Sequence, residues 1–281
     1  MSHWLDAGVR GFWRVAGRAV NLAGDDSWLA APTSLSPRVA DSWLDAEAER
    51  LGGRLEHNSV GGGLLPSMAM LDGPGFSAAA LRPEIRDFYE HTADWRLEVW
   101  SAWSPLFWPG GELISRLYGR RVEQLALPMR PLDVAHGMDS RVTLISDAAG
   151  AQVGAAWERM LRGSGRHVFS GCYSARRLPG SDHMSVHVAF PLEAGNVQVF
   201  LRPSVTAEGA LLLESPSGRF GEDGAYVVVE ERGSAHAVRV PLHETFHVYV
   251  DPAGVLRTDH ELRLRGRWVT RLHYRLERRE A

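Results

Sequence analysis

Lysine is absent from this 281-residue chain: all 31 basic residues are arginine. That removes a lysine Schiff base to pyridoxal phosphate or a carbonyl substrate, the Walker-A lysine and the ATP-binding lysine of kinases. Arginine codons are mostly GC-rich and lysine codons are not, so the bias, with abundant Ala and Gly, points to a GC-rich genome. Cysteine is almost as scarce. Cys172 alone excludes an intrachain disulfide and any cysteine-rich zinc or iron–sulfur site. It lies in Val168-Phe169-Ser170-Gly171-Cys172-Tyr173, which reads as a strand, and an inert buried thiol is expected. A net charge of -3 leaves no global basic field for nucleic acid. No apolar run approaches the ~20 residues that span a bilayer. The N-terminus lacks the apolar core of a signal peptide, so a cytoplasmic protein is expected.

What is present divides near residue 135. Residues 1–135 read as helical, irregular and Trp-rich, and 136–281 as an antiparallel β domain, either separate or integrated with the first part. Trp4, Val9, Phe12, Trp13, Ala16 and Val20 fall near helical spacing, with Arg10, Arg14 and Arg18 on another face. This basic amphipathic helix over 4–20 suits peripheral membrane contact or docking on the protein's own core. Asp41 to Leu51 is a second helical stretch. Glu84 to Trp103 contains neither proline nor glycine, and the spacing predicts a helix, then a turn, then a helix over Glu112 to Tyr118. Trp95, Trp100, Trp103, Phe107 and Trp108 form an aromatic cluster suited to line a ligand pocket or pack on a core.

From about 139 the segments are short, alternating and broken by turn residues. Strands are predicted over 141–146, 152–161, 166–175, 184–191, 197–203, 210–214, 225–231, 235–241, 244–250, 255–264 and 267–276. Asp147-Ala148-Ala149-Gly150 and Asp251-Pro252-Ala253-Gly254 read as hairpin turns. About ten consecutive strands with short connections mean an antiparallel barrel or sandwich; the absence of strand–helix alternation disfavours Rossmann and TIM-type folds. The expected class is α+β, with N-terminal helices packed on a mainly antiparallel β domain.

His243-Glu244-Thr245-Phe246-His247 matches H-E-x-x-H, which on a helix sets two imidazoles on one face for zinc with the glutamate as base. Phe246, Val248 and Val250 instead alternate with His247 and Tyr249 up to a turn, the period of a strand. If a four-residue turn sets Val250 opposite Val255, then His243, His247 and His260 share a face with Tyr249 nearby, as ligands for zinc or another divalent metal, and Glu244 or Glu261 is the base. Hydrogen-bonded imidazoles in a polar patch are the plainer reading. Gly180-Ser181-Asp182-His183 sets the triad residue types side by side, but a triad needs spatial adjacency. Arg263, Arg267, Arg271 and Arg275 read as a basic stripe, more often a solvated face with acidic neighbours.

Trp157-Glu158-Arg159, His167-Val168-Phe169-Ser170-Gly171 and Leu272-His273-Tyr274-Arg275, in this order after a helical section, resemble bacterial families of unknown function whose members occur alone or fused to membrane proteins. The shared pattern covers the C-terminal half and carries over no catalytic residue. A long antiparallel run is also similar to calycin or lipocalin-like barrels, which implies an apolar ligand by analogy of fold alone. The leading expectation is therefore binding of a hydrophobic or amphipathic, lipid-like small molecule, with Trp95, Trp100, Trp103, Phe107, Trp108 and Tyr249 as candidate contacts and no cofactor. The alternatives are a metal-dependent enzyme using the histidine cluster and a peripheral membrane or protein-interaction module.

Overall fold

The computed structural model describes residues 13–34, 36, 39–107, 138–162, 167–231 and 233–279. The predicted β run is present throughout: β4 (Met138–Ser146), β5 (Gln152–Leu161), β6 (His167–Arg177), β7 (Met184–Leu192), β8 (Gly195–Val205), β9 (Leu211–Glu214), β10 (Gly224–Glu231), β11 (Ser234–Val240), β12 (Leu242–Val250), β13 (Leu256–Leu264) and β14 (Arg267–Arg278). Three more strands come from the N-terminal part: β1 (Arg18–Val20), β2 (Arg54–His57) and β3 (Trp95–Trp103). Together they make one 14-stranded sheet in the order β2-β4-β5-β6-β7-β8-β9-β12-β13-β14-β3, with β10, β11 and β1 branching from β8. Every strand pairing is antiparallel. Strand β8 is the fork. Gly195–Phe200 pairs with β10, and Arg202–Val205 pairs with β9. The sheet thus crosses the boundary drawn at 135/136, since β2 pairs with β4 and β3 with β14.

The sheet curls so that one face encloses a core. Val142, Ala155, Trp157, Val188, Val199, Leu211, Val248, Leu272 and Leu276 belong to a single buried cluster. One end of the strand order, β3, comes close to β4, the neighbour of the other end β2, without pairing with it, so the curl stays open by hydrogen bonding. Residues 64–90 close one end. Leu64, Met68, Leu71, Phe76, Leu81, Ile85 and Phe88 pack into the same core, and the helix α2 (Pro83–Glu90) starts on a proline, which suits the first helical position.

Among the described residues the helices are shorter than expected. Helix α1 (Leu44–Arg50) lies within the predicted Asp41–Leu51 stretch. The predicted helix over 84–103 ends at Glu90, and Trp95–Trp103 is a strand. The reason is visible in the alternation: Trp95, Leu97 and Val99 are buried, while Arg96 and Trp100 are exposed, a period of two that outweighs the lack of proline and glycine. The predicted N-terminal helix is likewise cut short, because Arg18–Val20 pairs with β11. Its earlier part, with Trp4, Val9 and Arg10, and the predicted helix at 112–118 lie outside the described residues.

An irregular strap covers the outer face of β4–β8 and β10. Ala31, Val39, Trp43 and Leu44 pack on Ile145, Ala156, Cys172 and Ala189. Trp28 and Leu29 pack on Leu178, Phe200, Tyr226 and Val228. Polar side chains of the sheet satisfy the strap's backbone: Gln198 Nε2 donates to Leu29 O at 2.7 Å and Arg176 Nη1 to Ala30 O at 2.5 Å. Under this layer Cys172 is buried, and burial pushes its thiol up to about 12. At neutral pH the native protein is expected to resist iodoacetamide and to become alkylated only in denaturant; rapid native labelling, read by mass spectrometry, would show that the strap opens.

Candidate ligand cavity

The turn between β12 and β13 decides where the histidines point. Asp251 N donates to Val255 O at 2.9 Å, so Asp251 and Val255 are themselves part of the ladder. The loop is Pro252-Ala253-Gly254, with Gly254 at φ 79° and Asp251 Oδ1 accepting from Ala253 N and Val255 N, both at 2.9 Å, a three-residue connection closed by a left-handed glycine. Val250 therefore pairs with Leu256, and His260 sits opposite Phe246. This is one residue away from the expected register, and a one-residue slip moves a side chain to the other face.

The predicted three-histidine site is not assembled. His243 and His247 are on the outer face: His243 Nδ1 lies 3.0 Å from Ser215 O, and His247 stacks on Tyr249 with ring centres 4.7 Å apart. His260 is on the inner face, with Nε2 3.0 Å from Glu244 Oε2 and its ring stacked on Phe246 at 3.8 Å. Glu261 is outside, bound to Arg263 and, at 2.6 Å, to Arg271. Among the described residues no group of three or more His, Cys, Asp or Glu side chains is placed to hold a metal. The arginine stripe is met by carboxylates: Glu261 on Arg263 and Arg271, and Glu98 and Glu277 on Arg275.

The aromatic cluster is split by the strand it lies on. Trp95 is buried, with Nε1 donating to Asp87 Oδ2 at 3.1 Å. Trp100 faces outward, 50% exposed, near His273. Trp103 pairs with Thr270, Phe107 closes a turn on Ser104 O, and Trp108 lies outside the described residues. None of the described aromatic candidates, Tyr249 included, lines the cavity described next.

That cavity, of about 230 Å³, lies inside the curl between β5–β8 and β12–β14. Most of its wall is apolar: Val99, Met138, Val168, Val188, Val197, Val199, Leu201, Leu242, Leu262 and Leu272, with the rings of Phe169, Phe190 and Phe246. A void of about 60 Å³ toward Leu64, Phe88 and Tyr89 shares Arg159, Tyr173, Val188, Leu201, Phe246 and Tyr274 with it. A larger groove of about 890 Å³ opens where β3 faces β4, but it is open to solvent and lined by Glu84, Arg96, Asp139, Arg162, Arg278 and Arg279. The cavity inside the curl has the mostly apolar lining with a few polar groups that marks a small-molecule site.

Five titratable side chains interrupt the apolar wall: Arg159, Tyr173, Glu244, His260 and Tyr274. Arg159 follows Trp157 by two residues on β5 and shares its face; its guanidinium lies 3.9 Å from the Trp157 ring centre, 5.1 Å from that of Phe169 and 5.2 Å from that of Tyr274. Its Nε is buried without a hydrogen-bond partner. Tyr173 is partly buried, and the desolvation pushes its hydroxyl far above the ordinary tyrosine range. Glu244 accepts from His260 Nε2–H when the imidazole is neutral, leaving the buried and unpartnered Nδ1 as an acceptor. The dyad of Glu244 and His260 came from the sequence as members of a metal site; the structure joins them as an ion-pair-type contact instead.

Arg159, Phe169, Tyr173, Phe246 and Tyr274 were not singled out as site residues from the sequence. The available signal was parity. In each strand the alternate apolar positions face the core, and an arginine or glutamate at such a position is a polar group without a structural reason to be there. The three segments carrying the family resemblance each supply cavity wall: Arg159, Val168 with Phe169, and Leu272 with Tyr274. Comparison with known proteins adds no assignment, since no family model, no curated protein and no solved structure matches the chain.

Proposed function

We propose that this protein binds a small hydrophobic or amphipathic molecule inside a barrel-like, lipocalin-like curl of its sheet. The observation that carries this reading is the partly open 230 Å³ cavity with a mostly apolar wall. It holds roughly eight water volumes at ~30 Å³ each, just below the ~300 Å³ at which ligand pockets begin. Void space of this kind in a core forfeits dispersion contacts and costs stability; a ligand that fills it recovers both. The strap on one side, the plug of residues 64–90 at one end and the fork at β8 hold the wall in place.

Octan-1-ol, titrated by calorimetry and followed by methyl chemical shifts, is the simplest neutral probe. One molecule is expected to bind per chain, with shifts confined to cavity methyls such as those of Val188, Leu201 and Leu262. Val188→Trp places an indole between the two voids that Val188 lines. It is expected to weaken binding at least tenfold while costing about 1–3 kcal/mol of stability through overpacking. A folded protein that takes up no octan-1-ol at its solubility limit would sink the proposal.

A further inference from the structure

We infer that the natural ligand carries a carboxylate, and that Arg159 is the group that receives it. The inference rests on the cavity being a binding site and names the chemistry of its occupant. Arg159 is on the inner face of β5, in the wall of both voids. A guanidinium is always charged, and taking it out of water is costly unless an anion or a full set of acceptors replaces the lost hydration. Arg159 is only partly buried, but its Nε is closed off from solvent, and among the described residues no carboxylate or other acceptor meets its guanidinium. Arg159 has only the ring faces of Trp157, Phe169 and Tyr274 beside it, and its Nε–H, in a buried position, donates to nothing. The one carboxylate in the cavity wall, Glu244, is bound to His260.

Other arginines of the sheet show the contrast. Arg263, Arg271 and Arg275 each have a carboxylate on the outer face, and Arg176 donates to two strap carbonyls. Arg159 lines the cavity with its Cζ over the Trp157 ring, and the edge of a guanidinium matches a carboxylate with two parallel hydrogen bonds. With Glu244 already paired to His260, Arg159 is the one guanidinium in the wall, and a single guanidinium suits a monoanion. A phosphate dianion would need more donors than Arg159 and a protonated His260 offer. The rest of the wall, Val188, Val199, Leu201, Leu242, Leu262 and Leu272, takes an aliphatic or small aromatic tail. The ligand class is therefore a short amphipathic carboxylic acid, bound as its anion.

The test compares octanoate with octan-1-ol, two probes of nearly equal size that differ in the anionic head, by calorimetry at pH 7.5 on the full chain. Octanoate is expected to bind at least tenfold more tightly than octan-1-ol. Arg159→Met, which keeps the apolar stem, is expected to abolish the preference for octanoate, so that acid and alcohol bind the variant with equal affinity. Equal affinities of acid and alcohol in the wild-type protein would overturn the carboxylate assignment and leave the cavity reading standing. Binding of neither probe would remove both. Should Arg159→Met fail to fold, the wild-type comparison decides alone, since it needs no variant.

Discussion

Replacing Trp43 by alanine is expected to destabilise the protein by about 3–5 kcal/mol, the usual range for a fully buried large aromatic. Trp43 has no exposed surface and sits among Val39, Leu44, Ile145, Ala156, Cys172 and Ala189. Its Nε1–H donates to Ser170 Oγ at 2.9 Å, so the ring ties the strap to β6 by packing and by a buried hydrogen bond. Trp43→Phe separates the two contributions: most of the area returns, and the loss is expected to shrink to that of the hydrogen bond plus a residual void, about 1–2 kcal/mol. Urea denaturation with a common slope measures both. The alanine variant should also make Cys172 accessible to iodoacetamide, because the strap is what covers it. A loss below about 1 kcal/mol would mean that the strap adds little to the fold.

Asp223→Ala is expected to cost a similar amount, about 3–5 kcal/mol, for a different reason. Asp223 is 1% exposed and accepts from His183 Nε2 at 2.8 Å, Ser185 Oγ at 2.5 Å and Arg202 Nε at 3.2 Å. It fastens the approach to β10 onto β7 and β8. Its removal strands the donors of His183 and Ser185, both buried, whereas Arg202, half-exposed, turns to water. The neighbouring Asp182→Ala is the control. Asp182 is exposed and only brushes His183 Nδ1 at 3.2 Å, so less than ~0.5 kcal/mol is expected. Thermal unfolding of the two variants side by side would reveal whether the carboxylate that matters is the distant one; equal losses would contradict this.

The same cluster shows what the motif Ser181-Asp182-His183 means. Ser181 Oγ does reach His183 Nδ1 at 2.8 Å, and the acid on the other nitrogen is Asp223, forty residues away. Yet Ser181 Oγ also bonds the backbone of His183, accepting from its N–H and donating to its carbonyl. The hydroxyl closes a turn. Side-by-side residue types identified a real contact and the wrong acid, because a strand pairing that no local pattern encodes brings Asp223 in.

Parity was the strongest local signal. Each β segment predicted after residue 139 is a strand, since alternation of apolar and polar side chains with Gly, Asp and Pro at the breaks leaves no other regular structure able to bury one face. Trp95–Trp103 had the same alternation but was assigned to a helix on the absence of breakers and the approximate helical spacing of Phe88, Trp95, Val99 and Trp103, weaker criteria than the alternation. Burial of Cys172 was also readable, from its place in an apolar strand. The candidate site was much less so. Glu244 and His260 were picked out, but with the face of His260 reversed; Arg159 was quoted without its role.

By itself, then, the amino-acid sequence determined the secondary structure of the C-terminal half, the antiparallel class and the chemistry excluded by having no lysine and one cysteine. These follow from local steric preference and from composition, which act over a few residues. The tertiary structure alone decided which histidine faces inward, which acid His183 meets, how the N-terminal strands join the sheet and where the cavity lies. Each of these turns on a pairing register or on contacts between distant segments. In β12 and β13 the register hung on whether Asp251 belongs to the turn or to the ladder; with a left-handed glycine closing the turn, Asp251 is in the ladder, and Phe246 and Leu262 line the cavity.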